Sequence, residues 1–377
     1  MSKSLLVGIL SAFLVLQGCS SALPKPPPID SKVELQTAWQ IGVDARYGKP
    51  GARLNLLADE GDLFFVTDKG TVYQVVQDDG RKKVFIYTDY EPSTGVTRNA
   101  DTLYYGTYDA KLVAVSISEE KVLWEKPLSS EILSESAYAA GKLAVQTADG
   151  WLSVLDASNG EILWRVKEDL PALTIRGTSV PVISEGKLIV GLANGELKTY
   201  DLNSGDLLWS YEVGKPEGRY EIERLSDVDG RLAVKDGIVY AAAYNGTLAA
   251  LSIDTGRPVW QRSVSSSVGV AISGDILSVV DVDSRVLAFN AKNGSELWTN
   301  ESLADRDLLA PVFLKDYVAV LDRGSYVHLL DLVTGEVKGR RIVEADVPYG
   351  GRMVSNGDKL FVITAKAGIT ALSYRNY

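Results

Sequence analysis

One pattern recurs along this chain at roughly forty-residue spacing: an apolar strand, a polar turn closed by Gly, and Trp four positions later. It stands as VLDASNGEILW ending at Trp164, TYDLNSGDLLW at Trp209, ALSIDTGRPVW at Trp260 and AFNAKNGSELW at Trp298. A fixed period of this length marks a unit that cannot bury its own apolar face and must stack on copies of itself. Alignment on the turn residue gives Gly80, Glu120, Gly160, Gly205, Gly256, Gly294 and Gly335, with steps of 40, 40, 45, 51, 38 and 41 residues; one more step reaches Tyr377. The chain therefore holds eight units.

Upstream of each turn lies a second recurring block of strand, tight turn and strand, as in GDLFFVTDKGTVYQVV, GKLIVGLANGELKTYD and DGIVYAAAYNGTLAALS. Val, Ile, Leu, Tyr and Thr fill the runs, and the Asn245-Gly246 pair is a hairpin signal. With the segments on either side, each unit reads as about four strands and no helix, the content of a propeller blade. The expected fold is all-β, an eight-bladed β-propeller of four-stranded antiparallel blades. Asp156, Asp201, Asn290 and Asp331 stand four residues before the turn Gly, where a short polar side chain can bond the turn backbone while Gly supplies a positive φ.

Two units depart from the pattern, with Val84 and Gly339 in the Trp column, and the eighth ends at LSYRNY without a last strand. Trp39, in TAWQIGV, has no upstream strands of its own. The N-terminal segment is thus expected to donate the missing strand and close the ring, removing the edges that an open array leaves exposed.

A length of 377 residues would suggest two or three domains by size alone, but eight blades form one. The formal charge of -10, with no Lys/Arg run longer than Arg81-Lys82-Lys83, argues against a nucleic-acid partner. Lys3 precedes the 12-residue apolar run LLVGILSAFLVL, which suits a signal peptide and is too short to span a bilayer. Leu16-Gln17-Gly18-Cys19 then looks like the lipobox of bacterial lipoproteins, which implies acylation of Cys19, the chain's single cysteine. Ser20 in the following position implies, by the same resemblance, the periplasmic face of the outer membrane. The expected organisation is residues 1–18 as signal peptide, 19–33 as lipidated Cys and Pro-rich linker, and 34–377 as propeller, with ALPKPPP an extended spacer holding the ring off the lipid.

Reactive chemistry has few candidates. His328 is the only histidine, sits in a strand, and reads as a tolerated strand residue; no Ser/His/Asp or Cys/His set can be assembled around it. Asp227-Val228-Asp229-Gly230 and Asp281-Val282-Asp283 lack the further oxygen ligands of a calcium loop. Gly42 to Lys49 is no P-loop, because Pro50 stands where Ser or Thr is required. No catalytic, cofactor or metal residue is assigned.

The strand-turn-Gly-x-x-x-Trp unit resembles the pyrroloquinoline-quinone-type propeller repeat over residues 34–377. The quinone-dependent dehydrogenases of that superfamily use a vicinal disulfide and a calcium site, for which this chain has no counterpart. A lipobox joined to eight such blades resembles the BamB family, lipoproteins of the outer-membrane β-barrel assembly machinery, and two motifs sharpen the likeness: Leu173-Thr174-Ile175-Arg176-Gly177 and Glu221 to Asp229, EIERLSDVD. The resemblance implies a scaffold that docks on a periplasmic POTRA domain of BamA through Leu173, Ile175, Arg176, Asp227 and Asp229. A further implied partner is the unfolded outer-membrane protein strand, added to blade edges. Arg176 and Asp227 differ by the same 51 residues as the turns Gly205 and Gly256, so they share one column in adjacent blades and are expected side by side on the same face, as an ion pair or mixed-charge patch of the docking surface or, alternatively, as a simple salt bridge between blades. The alternative is a periplasmic quinone-type propeller that binds a small ligand or acts as an enzyme in its central channel. The lining of that channel discriminates the two.

Overall fold

Among the described residues, thirty-two strands fall into eight antiparallel sheets of four strands each. The computed structural model describes residues 23, 25–43, 53–173, 178–215, 219–343, 353–364 and 368–377. Blade 1 covers residues 57–87, blade 2 97–127, blade 3 137–167, blade 4 182–212, blade 5 233–262, blade 6 270–300 and blade 7 312–342. Blade 8 is made of residues 353–376 and the strand Val33–Gly42, which pairs antiparallel with Gly368–Asn376 as its outermost member. Among the described residues the only helical piece is the 3-10 turn Glu221–Arg224, and no helix is long and apolar enough to cross a membrane. The expected all-β, eight-bladed wheel and its closure by the N-terminal strand are both observed.

Burial explains why the repeat has this composition. Second and third strands are covered on both faces by neighbouring blades, and they read as continuous apolar runs such as Leu103 to Gly106 and Leu112 to Ser116. Fourth strands lie at the perimeter and alternate, as in Lys121–Pro127. The core is accordingly divided into eight apolar layers, one in each joint between blades. The layer joining blade 8 to blade 1 contains Trp39, Phe361, Phe65 and Tyr73, so the ring is sealed by the same kind of contact that joins its interior blades.

The Gly-to-Trp spacing is a device of the joints. Each Trp lies over the turn Gly of the next blade: Trp39 over Gly80, Trp124 over Gly160, Trp164 over Gly205, Trp209 over Gly256, Trp260 over Gly294 and Trp298 over Gly335. A Cβ on any of these glycines would meet the indole at 2.4–2.8 Å, and all six have positive φ. Each indole Nε1 donates to a carbonyl in the same turn, for example Trp260 to Ala291 O at 2.7 Å and Trp298 to Leu332 O at 3.0 Å. The expected side-chain caps are present too: Asp156, Asp201, Asn290 and Asp331 accept backbone N–H groups two residues on.

Both irregular units have a physical cause. Blade 1 carries Val84 in place of Trp, and the turn it faces holds Glu120 at φ 49° rather than Gly. With no indole to admit, that turn tolerates a side chain. In blade 7, a Cβ on Gly339 would meet Val33 O at 2.7 Å, because the closing strand passes through the space that Trp fills elsewhere. Val33 and Leu35 enter the layer between blades 7 and 8 in its stead.

Candidate functional site

Connections that lead from the perimeter of one blade to the first strand of the next all emerge on one face of the wheel, because every blade is wound in the same order. Three of them are long: residues 43–56 lead into blade 1, and two lie within the repeat, residues 168–181 between blades 3 and 4 and residues 213–232 between blades 4 and 5. The latter two account for the 45- and 51-residue steps of the repeat. Loops built onto a rigid scaffold are where binding residues concentrate.

Leu173, predicted as an apolar anchor, is 43% exposed on the loop between blades 3 and 4, and Leu170 beside it is also exposed. Cys19, Ile175 and Arg176 lie outside the described residues, and so do residues 1–18, so the expected pairing of Arg176 with Asp227 is not visible. The loop between blades 4 and 5 adds exposed Tyr220, just before its 3-10 turn, and Ile222 within it, 67% and 66% accessible. Tyr220 was not singled out from the sequence, and Ile222 stood in the Glu221 to Asp229 motif without an assigned role; the excess length of the two loops was the available signal.

Asp227 and Asp229 do not sit on an exposed surface. They are 0% and 4% accessible, a departure from the expected solvent-facing charges. The reason is the path of the chain: Val228 N–H donates to Leu192 O at 3.1 Å, and Val228 presses so closely on Gly191 that a Cβ there would meet its carbonyl at 2.5 Å. Residues flanking Val228 are therefore drawn into the joint between blades 4 and 5. Tyr244 N–H donates to Asp227 O at 3.1 Å on the other side.

Burial raises the Asp229 carboxyl to about 7; the attraction of Arg53 opposes this and the repulsion of Asp227 adds to it. Its Oδ2 has no hydrogen-bond partner among the described residues. A buried polar atom left without a partner normally costs about 1–3 kcal/mol.

Side chains cross the channel mouth at the same level. Arg53, on the approach to blade 1, donates through Nη1 to Thr178 O at 3.1 Å, on the approach to blade 4. Thr178 Oγ1 donates to Ser134 Oγ at 2.9 Å, and Asn55 Nδ2 donates to Glu135 Oε1 at 2.5 Å, joining the approaches to blades 1 and 3. The mouth is thus braced between non-adjacent blades by groups whose donors and acceptors face one another. Nearby, a small cleft of ≈ 40 Å³ between blades 3 and 4 is lined by Leu152, Leu170, Leu192, Gln146 and Thr178, with Glu168 beneath it. Lys198 Nζ donates to Glu168 Oε2 at 2.7 Å and the Tyr200 hydroxyl donates to Oε1, so that carboxylate is neutralised structurally.

Other candidates resolve as scaffold. Asp281 accepts the backbone N–H of Asp283 and Arg285 and pairs with the Arg285 guanidinium at 2.6 Å. Among the described residues no three His, Cys, Asp or Glu side chains gather as a metal site. His328 is more than a tolerated strand residue: it is fully buried, with Nε2 at 2.9 Å from Asp322 Oδ2 and Nδ1 accepting from Arg340 Nε at 2.9 Å. Burial lowers its pKa, and Asp322 is held by Arg306 as well.

The model of a family described as outer membrane protein assembly factor BamB matches residues 88–300 and 282–376. The chain belongs to the BamB family. It is 30% identical to the BamB of Yersinia pestis over 97% of both chains, and 29% identical to that of Escherichia coli over 91% of this chain and 92% of the relative. The crystal structure of BamB from Moraxella catarrhalis superposes with a TM-score of 0.80 at 25% identity, covering 90% of this chain and 99% of that one. A quinohemoprotein alcohol dehydrogenase of Pseudomonas putida HK5 shares the fold, with a TM-score of 0.69 at 12% identity over 91% of this chain and 76% of its own. BamB-family membership, not that shared wheel, bears on what the chain does.

Proposed function

We propose that this chain is a non-enzymatic scaffold lipoprotein of the outer-membrane β-barrel assembly machinery, assisting the folding and insertion of outer-membrane proteins. In this reading residues 1–18 are a signal peptide, Cys19 carries the acyl chains, and residues 19–33 link the anchor to the propeller on the periplasmic face of the outer membrane. The long loops between blades 3, 4 and 5 dock on a POTRA domain of BamA. Leu173 and Ile175 supply apolar anchors, aided by Leu170, Tyr220 and Ile222, while Arg176, Asp227 and Asp229 supply the polar centre.

The observation that carries this reading is the pairing of exposed apolar side chains with Asp229, a buried carboxylate at the same joint whose Oδ2 has no donor among the described residues. A partner that brings a cationic donor to Asp229 makes a charge-assisted bond shielded from water, and this is stronger than any pair at a wet rim. The braced channel mouth favours a rigid docking face over a substrate chamber. Leu173→Asp and Asp229→Ala are each expected to abolish co-purification with BamA from envelope extract while the propeller keeps its thermal transition. Retained co-purification in both, at normal expression, overturns the assigned surface.

A further inference from the structure

The segment after the proposed acylation site is attached along the edge of blade 7 before the ring-closing strand begins. Arg340 Nη1 donates to Pro27 O at 2.7 Å, and the same guanidinium is fixed from behind by Nε donating to His328 Nδ1. The hold on the linker therefore runs through His328 and Asp322 to Arg306, a buried chain of bonds anchored inside the blade. Ile29 packs on the apolar layer between blades 6 and 7, which includes Trp298 and Val337. Lys32 N–H donates to Lys338 O at 2.8 Å, and Tyr377 N–H donates back to Lys32 O at 3.2 Å.

Sequence chemistry suits this path. Pro26, Pro27 and Pro28 have fixed φ and no N–H, so the segment loses little freedom on docking and adds no free donors at a sheet edge. The segment expected as an extended spacer is, over residues 27–32, fastened to the wheel.

We propose that residues 25–32 form a strap that fixes the attitude of the wheel on the bilayer, with the blade 7 edge held nearest the lipid surface. The proposal rests on acylation of Cys19. From Cys19 to Pro27 an extended chain reaches at most about 29 Å. With the strap fastened, blade 7 cannot leave that distance, and blade 3, opposite it in an eightfold ring, faces away. Without it the tether lengthens to Val33 and the wheel can turn over. The loops between blades 3, 4 and 5 then occupy the half directed toward a periplasmic partner.

Val333 and Ser158 occupy equivalent turn positions in opposite blades, and both are exposed. Full-length acylated protein labelled at Val333→Cys or Ser158→Cys is placed on phosphatidylethanolamine/phosphatidylglycerol vesicles containing nitroxide-quencher lipids. Quenching is expected to be at least about twofold stronger at position 333, and both Arg340→Ala and Ile29→Ser should bring the two positions together. Equal quenching in the parent, or a difference that survives both variants, overturns the strap. Ile29→Ser leaves the His328 network untouched, so it stays informative where Arg340→Ala fails to fold.

Two arms separate the strap from the anchor. Release of the Cys19→Ala protein from vesicles supports the anchor, and its retention removes the acylation reading on which the proposal rests. In that same unacylated protein, hydrogen exchange at the Lys32 amide is expected to be protected and to speed up about ten-fold in Arg340→Ala. No protection at Lys32 overturns the strap even if the anchor stands.

Discussion

The perimeter turns and the channel mouth of this wheel are built on opposite rules. At the perimeter, one solution is repeated: a Trp over a Gly, an indole N–H bonded to a carbonyl, an Asp or Asn capping the turn. The indole and the turn cap are matched within their own joint, and the same residues recur at roughly forty-residue spacing. At the mouth, the approaches to blades 1, 3, 4 and 5 present different residues that interact across the ring: Arg53 bonds Thr178 O, Asn55 bonds Glu135, and Arg53 attracts Asp229. Asp229 Oδ2 has no donor among the described residues. The contrast separates positions that hold the ring together from positions that the proposed docking would use.

The comparison breaks most severely if the perimeter is not what closes the ring. Deleting residues 34–42 removes the outermost strand of blade 8 together with Leu35 and Trp39, which are 2% and 9% exposed. It also unseats the blade 8 to blade 1 layer and leaves Gly368–Asn376 with an open edge. Loss of two large buried side chains and their strand is expected to destabilise by about 5 kcal/mol or more and lower Tm by about 10 °C. Calorimetry on the deletion measures it, and an unchanged Tm removes closure by this strand.

Within the perimeter, the two kinds of turn predict different responses to the same chemistry. Gly335→Ala places a Cβ 2.4 Å from the Trp298 ring at a φ of 71°, so strain and overpacking together are expected to cost about 2–4 kcal/mol. Glu120→Ala, at the equivalent turn with no indole above it, keeps the φ already adopted and is expected to change stability by less than about 0.5 kcal/mol. Chemical denaturation of both variants checks the pair. A similar loss in the two would mean that the turn Gly is selected for φ alone and not for Trp.

How much of this was legible in the sequence follows from the same division. Joints repeat, and repetition is readable: blade number, strand count, turn caps and the role of Trp39 all come from spacing. Even the exceptions at Val84 and Gly339 were visible as breaks, although their cause needed Val33 in place. The mouth is made by residues from blades far apart in the chain, with Arg53 and Thr178 separated by 125 positions, and no local pattern announces such a contact. The burial of Asp227 and Asp229 was hidden for a related reason. A D-V-D stretch in a loop reads as solvated, and only the wedging of Val228 against Gly191 turns both carboxylates inward.

The pH dependence of Asp229 tests whether the mouth is held at a cost to the isolated wheel. Its carboxyl titrates near 7 in the fold and near 3.8 when released, so between these values the folded chain holds a proton that the unfolded chain has lost. Stability therefore falls as pH rises through that window, by up to about 1.4 kcal/mol per unit. Asn carries no charge and escapes this loss, though it forgoes the attraction to Arg53. Asp229→Asn is accordingly expected to be more stable than the parent at pH 8 by about 1–2 kcal/mol, with the gain vanishing toward pH 4. Thermal unfolding across that range measures it. A gain at pH 8 combined with weaker BamA capture identifies a residue kept for docking against the interest of the fold; a variant that tracks the parent at every pH places Asp229 with the perimeter, as one more satisfied structural carboxylate.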